Sequence, residues 1–324
     1  MVRLAIRSLV LATPFLAFLA WFELARGGRD TNLFIVKRRL LEAAAPKVEV
    51  LTLGASHAHE GILPLLVTPE TFNLGAVSQS LYYDAELLRT YAPRLPKLRL
   101  VVLPISYFTP EYELDHSIES WRAYYYRRYH GIPHRDGRNG THLRNFSDWF
   151  LYGRDLGLAA VRGQKPGSIR SEYDTGGGRL DTRPLGERVL HPGPDHVRTS
   201  APVAFGRHDK MMSPEFFPAN KARLGALLGW LQARGISVVF VTLPVSPGYL
   251  ALERPGSRER TRAALDGFRR KFGVAWHDYS GDPRFIEDDF WDADHLNFQG
   301  ADKFSRLLGD EVVKPILARP APER

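Results

Sequence analysis

The chain has 324 residues, enough for one large domain with insertions or for two, and its 44% apolar and 25% charged content is that of a folded globular protein, not a disordered one. It contains no cysteine, which excludes disulfides, thiolate metal sites and a cysteine nucleophile. A net charge of +8 admits an anionic partner such as a lipid surface or an acidic polymer, but no basic run interleaved with aromatics points to nucleic acid.

The first predicted element is apolar. Residues 9–22 are apolar apart from Thr13 and Pro14, and the stretch extends over residues 4–24 with Arg7 close to its start. As a helix rising ~1.5 Å per residue it reaches roughly 30 Å, about one hydrocarbon core. Arg3 and Arg7 precede it, and Trp21, Phe22 and Glu23 occupy the place of a small-residue cleavage site. Residues 1–26 are therefore expected to form an uncleaved single-pass membrane anchor, a cleaved signal peptide being the alternative. Arg26, Arg29, Lys37, Arg38 and Arg39 on the far side leave the positive-inside rule undecided on orientation.

Residues 27–47 are predicted to link anchor and body through a helix, with Asn32 as its cap and Leu33, Val36, Leu40 and Leu41 on one face. The body spans 48–317. Short apolar runs at 48–53, 71–74, 98–105, 237–243 and 274–279 read as strands. Helical spacing marks 82–91, 220–234, 257–272 and a last helix from Phe298. This alternation predicts an α/β fold, a doubly wound, five-stranded parallel sheet. Residues of about 109–217 lack periodicity and read as an insertion or lid after the third strand. Its cluster of Trp121, Tyr124, Tyr125, Tyr126, Arg127, Arg128 and Tyr129 reads as packing and solvated charge before it reads as a groove. Residues 318–324 form a loose, Pro-bearing tail.

In an open parallel sheet, chemistry gathers beyond the carboxyl ends of the strands. Ser56 follows the first strand in Gly54-Ala55-Ser56, Gly75 closes the second, and Asp292 and His295 follow the fifth. A serine hydroxyl needs a base to take its proton during attack. His295 is the candidate base, and Asp292, three residues before it, the carboxylate that holds its other ring nitrogen. The backbone N–H groups of Ser56 and Gly75 are the natural donors for an oxyanion. The plainer alternatives are that Ser56 caps a turn, that Asp292 and His295 form a loop ion pair, and that Asp294 is a solvated or capping carboxylate. Asn297 is the N-cap of the last helix. His57, His59, Asp294 and His295 also admit a metal-dependent phosphoesterase. The favoured assignment carries no metal and no cofactor.

At these residues the chain resembles the SGNH (GDSL-like) hydrolase superfamily, over about 48–108 and 218–315. In that family the nucleophile follows the first strand, a Gly follows the second, and a C-terminal Asp-x-x-His completes the triad. The resemblance implies a flavodoxin-like fold and catalytic roles for Ser56, His295 and Asp292, with Gly75 beside them. Two departures stand out. The first block reads Gly54-Ala55-Ser56-His57 in place of Gly-Asp-Ser-Leu, and no oxyanion Asn follows the third strand, where Leu103-Pro104-Ile105-Ser106 stands. Ser106 is the remaining side-chain candidate for that donor. With the N-terminal stretch and the insertion, this pattern is similar to the membrane-tethered branch. That branch includes the protein acting last in D-alanylation of lipoteichoic acid and the O-acetylation proteins of alginate. It implies a serine acyltransferase or acylesterase facing the periplasm or cell exterior. It also implies a cell-surface polysaccharide or teichoic-acid-like substrate, a bilayer, and a membrane-bound O-acyltransferase as partners. The alternative is a catalytically silent scaffold that docks such a partner.

Overall fold

The computed structural model describes residues 2–26, 32–137, 139–152, 169–180 and 193–319. Its strands are β1 (Val50–Thr52), β2 (Thr71–Asn73), β3 (Leu100–Pro104), β4 (Ser237–Thr242) and β5 (Ala275–Asp278). The longer helices, with the one that opens the site, are α1 (Val2–Arg26), α2 (Leu33–Ala44), α3 (Ser56–Gly61), α4 (Leu81–Tyr91), α5 (Pro194–Met211), α6 (Phe217–Gln232), α7 (Pro255–Phe272) and α8 (Phe298–Leu307). All strand pairs are parallel, in the order β2-β1-β3-β4-β5. The predicted α/β, five-stranded parallel sheet is present. The order reverses at β1 and β3, which opens a crevice beyond the carboxyl ends of those strands.

The pleat explains why the strands read as continuous apolar runs. Leu51, Leu53, Val101, Leu103 and Phe240 pack into one core, while Val50, Leu100, Val102, Val239 and Val241 pack into a second. A parallel sheet covered on both faces needs apolar residues at every position. Helix ends follow local chemistry. Asn32 Oδ1 accepts from the Phe34 and Ile35 amides, and α7 stops at Gly273, whose amide donates to the Arg269 carbonyl.

The region after β3 is built mostly of short turns until α5, an 18-residue helix that the sequence reading missed. Pro202 in its middle hid it, because proline argues against a helix interior. In the aromatic and basic cluster Tyr124, Tyr126 and Tyr129 are buried, whereas Trp121 is exposed. Tyr126 is fully buried and donates to Gln79 Oε1, and Tyr125 stacks on Phe34 at 5.1 Å between ring centroids.

The N-terminal stretch is helical as α1, but among the described residues no helix is long and apolar enough to cross a membrane. The expected transmembrane anchor over 1–26 is therefore not supported. Charge reaches into the helix at both ends, and its last turns are tied to the body. Phe18 and Phe22 meet Trp149 edge-on at 5.0 and 5.1 Å. Glu23 accepts from Ser147 Oγ, the Trp149 amide and Arg128. Val10, Leu11, Phe15, Leu16, Trp21 and Leu24 are exposed. Parts of the predicted linker, insertion and tail, residues 27–31, 153–168, 181–192 and 320–324, lie outside the described residues.

Candidate active site

Ser56 is placed by a forced turn. β1 runs out at Thr52, and Gly54 then adopts φ +102°, a conformation side chains resist. A Cβ there would also meet the Pro104 side chain at 3.1 Å. The Gly54 amide donates to Asp84 Oδ1, which also takes a hydrogen bond from Gln79 Nε2. Burial nevertheless pushes the Asp84 carboxyl up to about 7. The chain leaves this turn as α3, with Ser56 as its first residue.

The loop between β5 and α8 delivers the other groups. Asn297 caps α8 by accepting from the Gly300 amide, and its Nδ2 holds the Asp288 and Phe290 carbonyls. Asp292 Oδ1 accepts from the amides of Asp294 and His295, closing a tight turn around its own side chain. The same carboxylate lies 2.9 and 3.2 Å from His295 Nδ1. The three-residue spacing thus lets one carboxylate organise both the backbone and the ring. His295 Nε2 stands 2.8 Å from Ser56 Oγ, a pair 239 positions apart in sequence.

The Nδ1 proton faces a carboxylate, so Nε2 carries the lone pair and accepts from the Ser56 hydroxyl. Burial pushes the His295 imidazole down, but the charges of Asp294 and Asp292 outweigh it and hold its pKa above the ordinary histidine value. Asp292 moves the opposite way. Its burial is outweighed by the hydrogen bond and charge of His295, which keep it below the usual carboxylate range.

Ser56 and His295 open onto a cleft of about 390 Å³, bordered by Val77, Trp291 and Leu296 and by Arg179, which pairs with Glu60 at 2.6 Å. On its other side Ser56 borders a recess of about 30 Å³ shared with Ala55 and Ser78. Ser78 has φ +59°, the only positive value at a non-glycine among the described residues. Backbone held there stores strain and clusters at functional sites. Sequence reasoning missed Ser78, since nothing in Val77-Ser78-Gln79 signals a left-handed residue.

Two expected oxyanion donors are turned to other work. The Gly75 amide donates to Asn73 Oδ1 at 2.9 Å, and its carbonyl accepts from Lys37 Nζ. Gly75 is glycine for contact, because a Cβ would stand 3.0 Å from the Gly54 carbonyl oxygen. Ser106 Oγ lies 3.1 Å from His57 Nδ1, while His57 Nε2 faces Asp294 Oδ2 at 3.2 Å. An ionised Asp294 keeps the proton on Nε2, so the Ser106 hydroxyl donates to Nδ1 and not into the cleft. The Ser56 amide is the first of α3 and has no intrahelical acceptor.

Asp294 is neither solvated nor a helix cap. It is buried among His57, His208 and Arg207. The ligand atoms of His57, His208 and Asp294 lie within 4.8 Å of one another, as do those of Asp292, Asp294 and His295, close enough for a divalent cation. Within these groups His57 is already hydrogen-bonded to Asp294, and His295 to Asp292. His59 belongs to neither group, and sits 3.8 Å from Glu60 with its ring near Tyr173. Of the four residues expected for a metal-dependent phosphoesterase, His57 and His295 thus gather about Asp294, and His59 does not join them.

No protein-family model matches the chain, and no curated protein matches its sequence. Solved structures match it at low similarity. A candidate acylhydrolase from Bacteroides fragilis is 12% identical at a TM-score of 0.40, over 85% of this chain and 93% of the other. A GDSL-like lipase from Bacteroides thetaiotaomicron is 11% identical at 0.40, over 88% and 100%. A candidate platelet activating factor structure from Streptococcus pneumonia is 10% identical at 0.40, over 93% and 98%.

Proposed function

We propose that this protein is a serine acyl-transfer enzyme, an esterase or an acyltransferase, with Ser56 as nucleophile, His295 as base and Asp292 as its partner. The observation that carries the reading is the unbroken line from Ser56 Oγ through His295 to the Asp292 carboxylate. Ser56 Oγ attacks the acyl carbonyl as its proton passes to His295 Nε2. The imidazolium then returns that proton to the departing oxygen, leaving an acyl ester on Ser56. An incoming hydroxyl, from water or a sugar, gives its proton to His295 as it attacks the ester, and the imidazolium returns that proton to Ser56 Oγ as the bond to the acyl carbon breaks. The developing oxyanion is assigned to the small recess that Ser56 and Ser78 both line.

The acyl group we assign to delivery by a membrane-bound O-acyltransferase, and the acceptor to a hydroxyl of a cell-surface polysaccharide or teichoic-acid-like polymer at the periplasmic or outer face. This part rests on the sequence resemblance. The exposed apolar side chains of α1 support contact with a bilayer. A catalytically silent scaffold is favoured by one observation, the diversion of Gly75 and Ser106 away from the cleft. A fluorophosphonate probe separates the two readings. An adduct on Ser56 that is lost in Ser56→Ala supports the enzyme, and no adduct supports the scaffold. Copurification of a multi-spanning acyltransferase with the full chain tests the partner.

A further inference from the structure

The mechanism above does not use Asp294, although it is the most enclosed carboxylate at the site, with a side chain 0% exposed. It lies one residue before His295 and turns inward while Asp292 stays partly open, 22% exposed. Asp294 Oδ2 is 3.2 Å from His57 Nε2, 3.6 Å from His208 Nε2 and 3.5 Å from His295 Nδ1. Its Oδ1 is 3.4 Å from Arg207, whose side chain is 47% exposed. The outer imidazoles are themselves held at their far nitrogens, His57 by Ser106 Oγ at 3.1 Å and His208 by Tyr249 OH at 2.5 Å. The carboxylate is therefore fixed from several directions, by groups from α3, α5 and its own loop.

Geometry divides the work between the two carboxylates. His295 Nδ1 is closer to Asp292, 2.9 Å against 3.5 Å, so the ring proton points to Asp292 and the tautomer is set there. A charge open to water is screened, whereas a fixed charge out of water acts on its neighbours at low effective dielectric. We propose that Asp294 is a positioning residue for His295. It supplies the dehydrated negative charge that favours the imidazolium, and Arg207 tempers that charge from the surface side. This rests on reading Ser56 and His295 as the reacting pair. The charged and titratable groups facing His295 and Asp294 are Asp292, Glu60, His57, His59, His208, Arg207 and Tyr249. The direction of the His295 shift agrees, with Asp294 the largest influence that raises it.

The test is the titration of His295 itself, followed by imidazole NMR on the full chain and assigned by the signal lost in His295→Gln. Asp294→Asn keeps the shape and an accepting oxygen but removes the charge. It is expected to lower the His295 pKa by about 1–3 units, the usual effect of one opposite charge at this range. Arg207→Gln changes a half-exposed side chain and is expected to raise the pKa. A downward shift in Asp294→Asn together with an upward shift in Arg207→Gln supports the proposal, and the reverse pair overturns it. No shift in either variant, or shifts of the same sign, overturn it. If Asp294→Asn does not fold, the Arg207→Gln shift decides alone: upward supports, unchanged or downward overturns. Fluorophosphonate labelling is measured on the same samples. Opposite NMR shifts without any Ser56 adduct would sink the catalytic reading and leave the electrostatic one standing.

Discussion

Lys37 Nζ donates to the Gly75 carbonyl oxygen at 2.5 Å, joining α2 to the turn beyond β2 in the protein interior. Lys37 is 1% exposed, and burial pushes its pKa down to about 7, with Glu60 and Asp174 acting the other way. Folding therefore favours the neutral amine. Between about 7 and the unfolded value of ~10.4 the unfolded chain holds the extra proton, so stability rises with pH through that window. Below it, both states are protonated and the burial penalty is fully present. Denaturant titrations across the window are expected to show the wild type gaining on Lys37→Met, with a slope approaching about 1.4 kcal/mol per pH unit. Equal slopes would place the Lys37 amine in water.

Gly300 lets α8 begin directly under the loop that carries Asp292 and His295. A Cβ there would collide with the Asp289 backbone carbonyl. That atom belongs to backbone held by the Asn297 amide, so it cannot swing aside as a flexible side chain would. Gly300→Ala is expected to cost about 1–3 kcal/mol, the range for overpacking. Denaturant midpoints read the stability, and the probe-labelling rate is expected to fall with it.

Ser106 follows β3 and was expected as a side-chain oxyanion donor, yet its hydroxyl faces His57. Ser106→Ala is expected to lower the labelling rate by less than about tenfold. Removing a true side-chain donor costs roughly 10²–10³. A loss of that larger size would return Ser106 to the oxyanion.

Asp292 sets the tautomer of His295. Asp292→Asn presents an amide to Nδ1 and allows the proton to move to Nε2, where it blocks acceptance from Ser56. Loss of the labelling rate by roughly 10⁴ is expected, on the scale known for this substitution in serine proteases. A loss of only a few-fold would mean that another group fixes the ring.

The sheet and the meeting of Ser56, Asp292 and His295 were legible because each leaves a local trace. Apolar runs closed by Gly54 and Gly75 mark strands that end at one rim, and the Asp292 to His295 spacing marks a turn that folds on its own carboxylate. The rest depends on long-range burial. Asp294 looks like any loop carboxylate until α5 brings His208 and Arg207 against it, and Pro202 concealed that helix. Lys37 reads as the polar side of an amphipathic helix, and only the fold encloses it. Gly75 was read as a donor on its position alone, whereas its amide is taken by a side chain two residues away.

The most direct measurement is the second-order rate of fluorophosphonate labelling, with the modified residue located by mass spectrometry. A hydroxyl activated by its neighbour should react at Ser56 in the intact chain and become inert when His295→Gln removes the imidazole. Modification elsewhere, or a rate indifferent to that imidazole, would contradict a nucleophile at the end of β1.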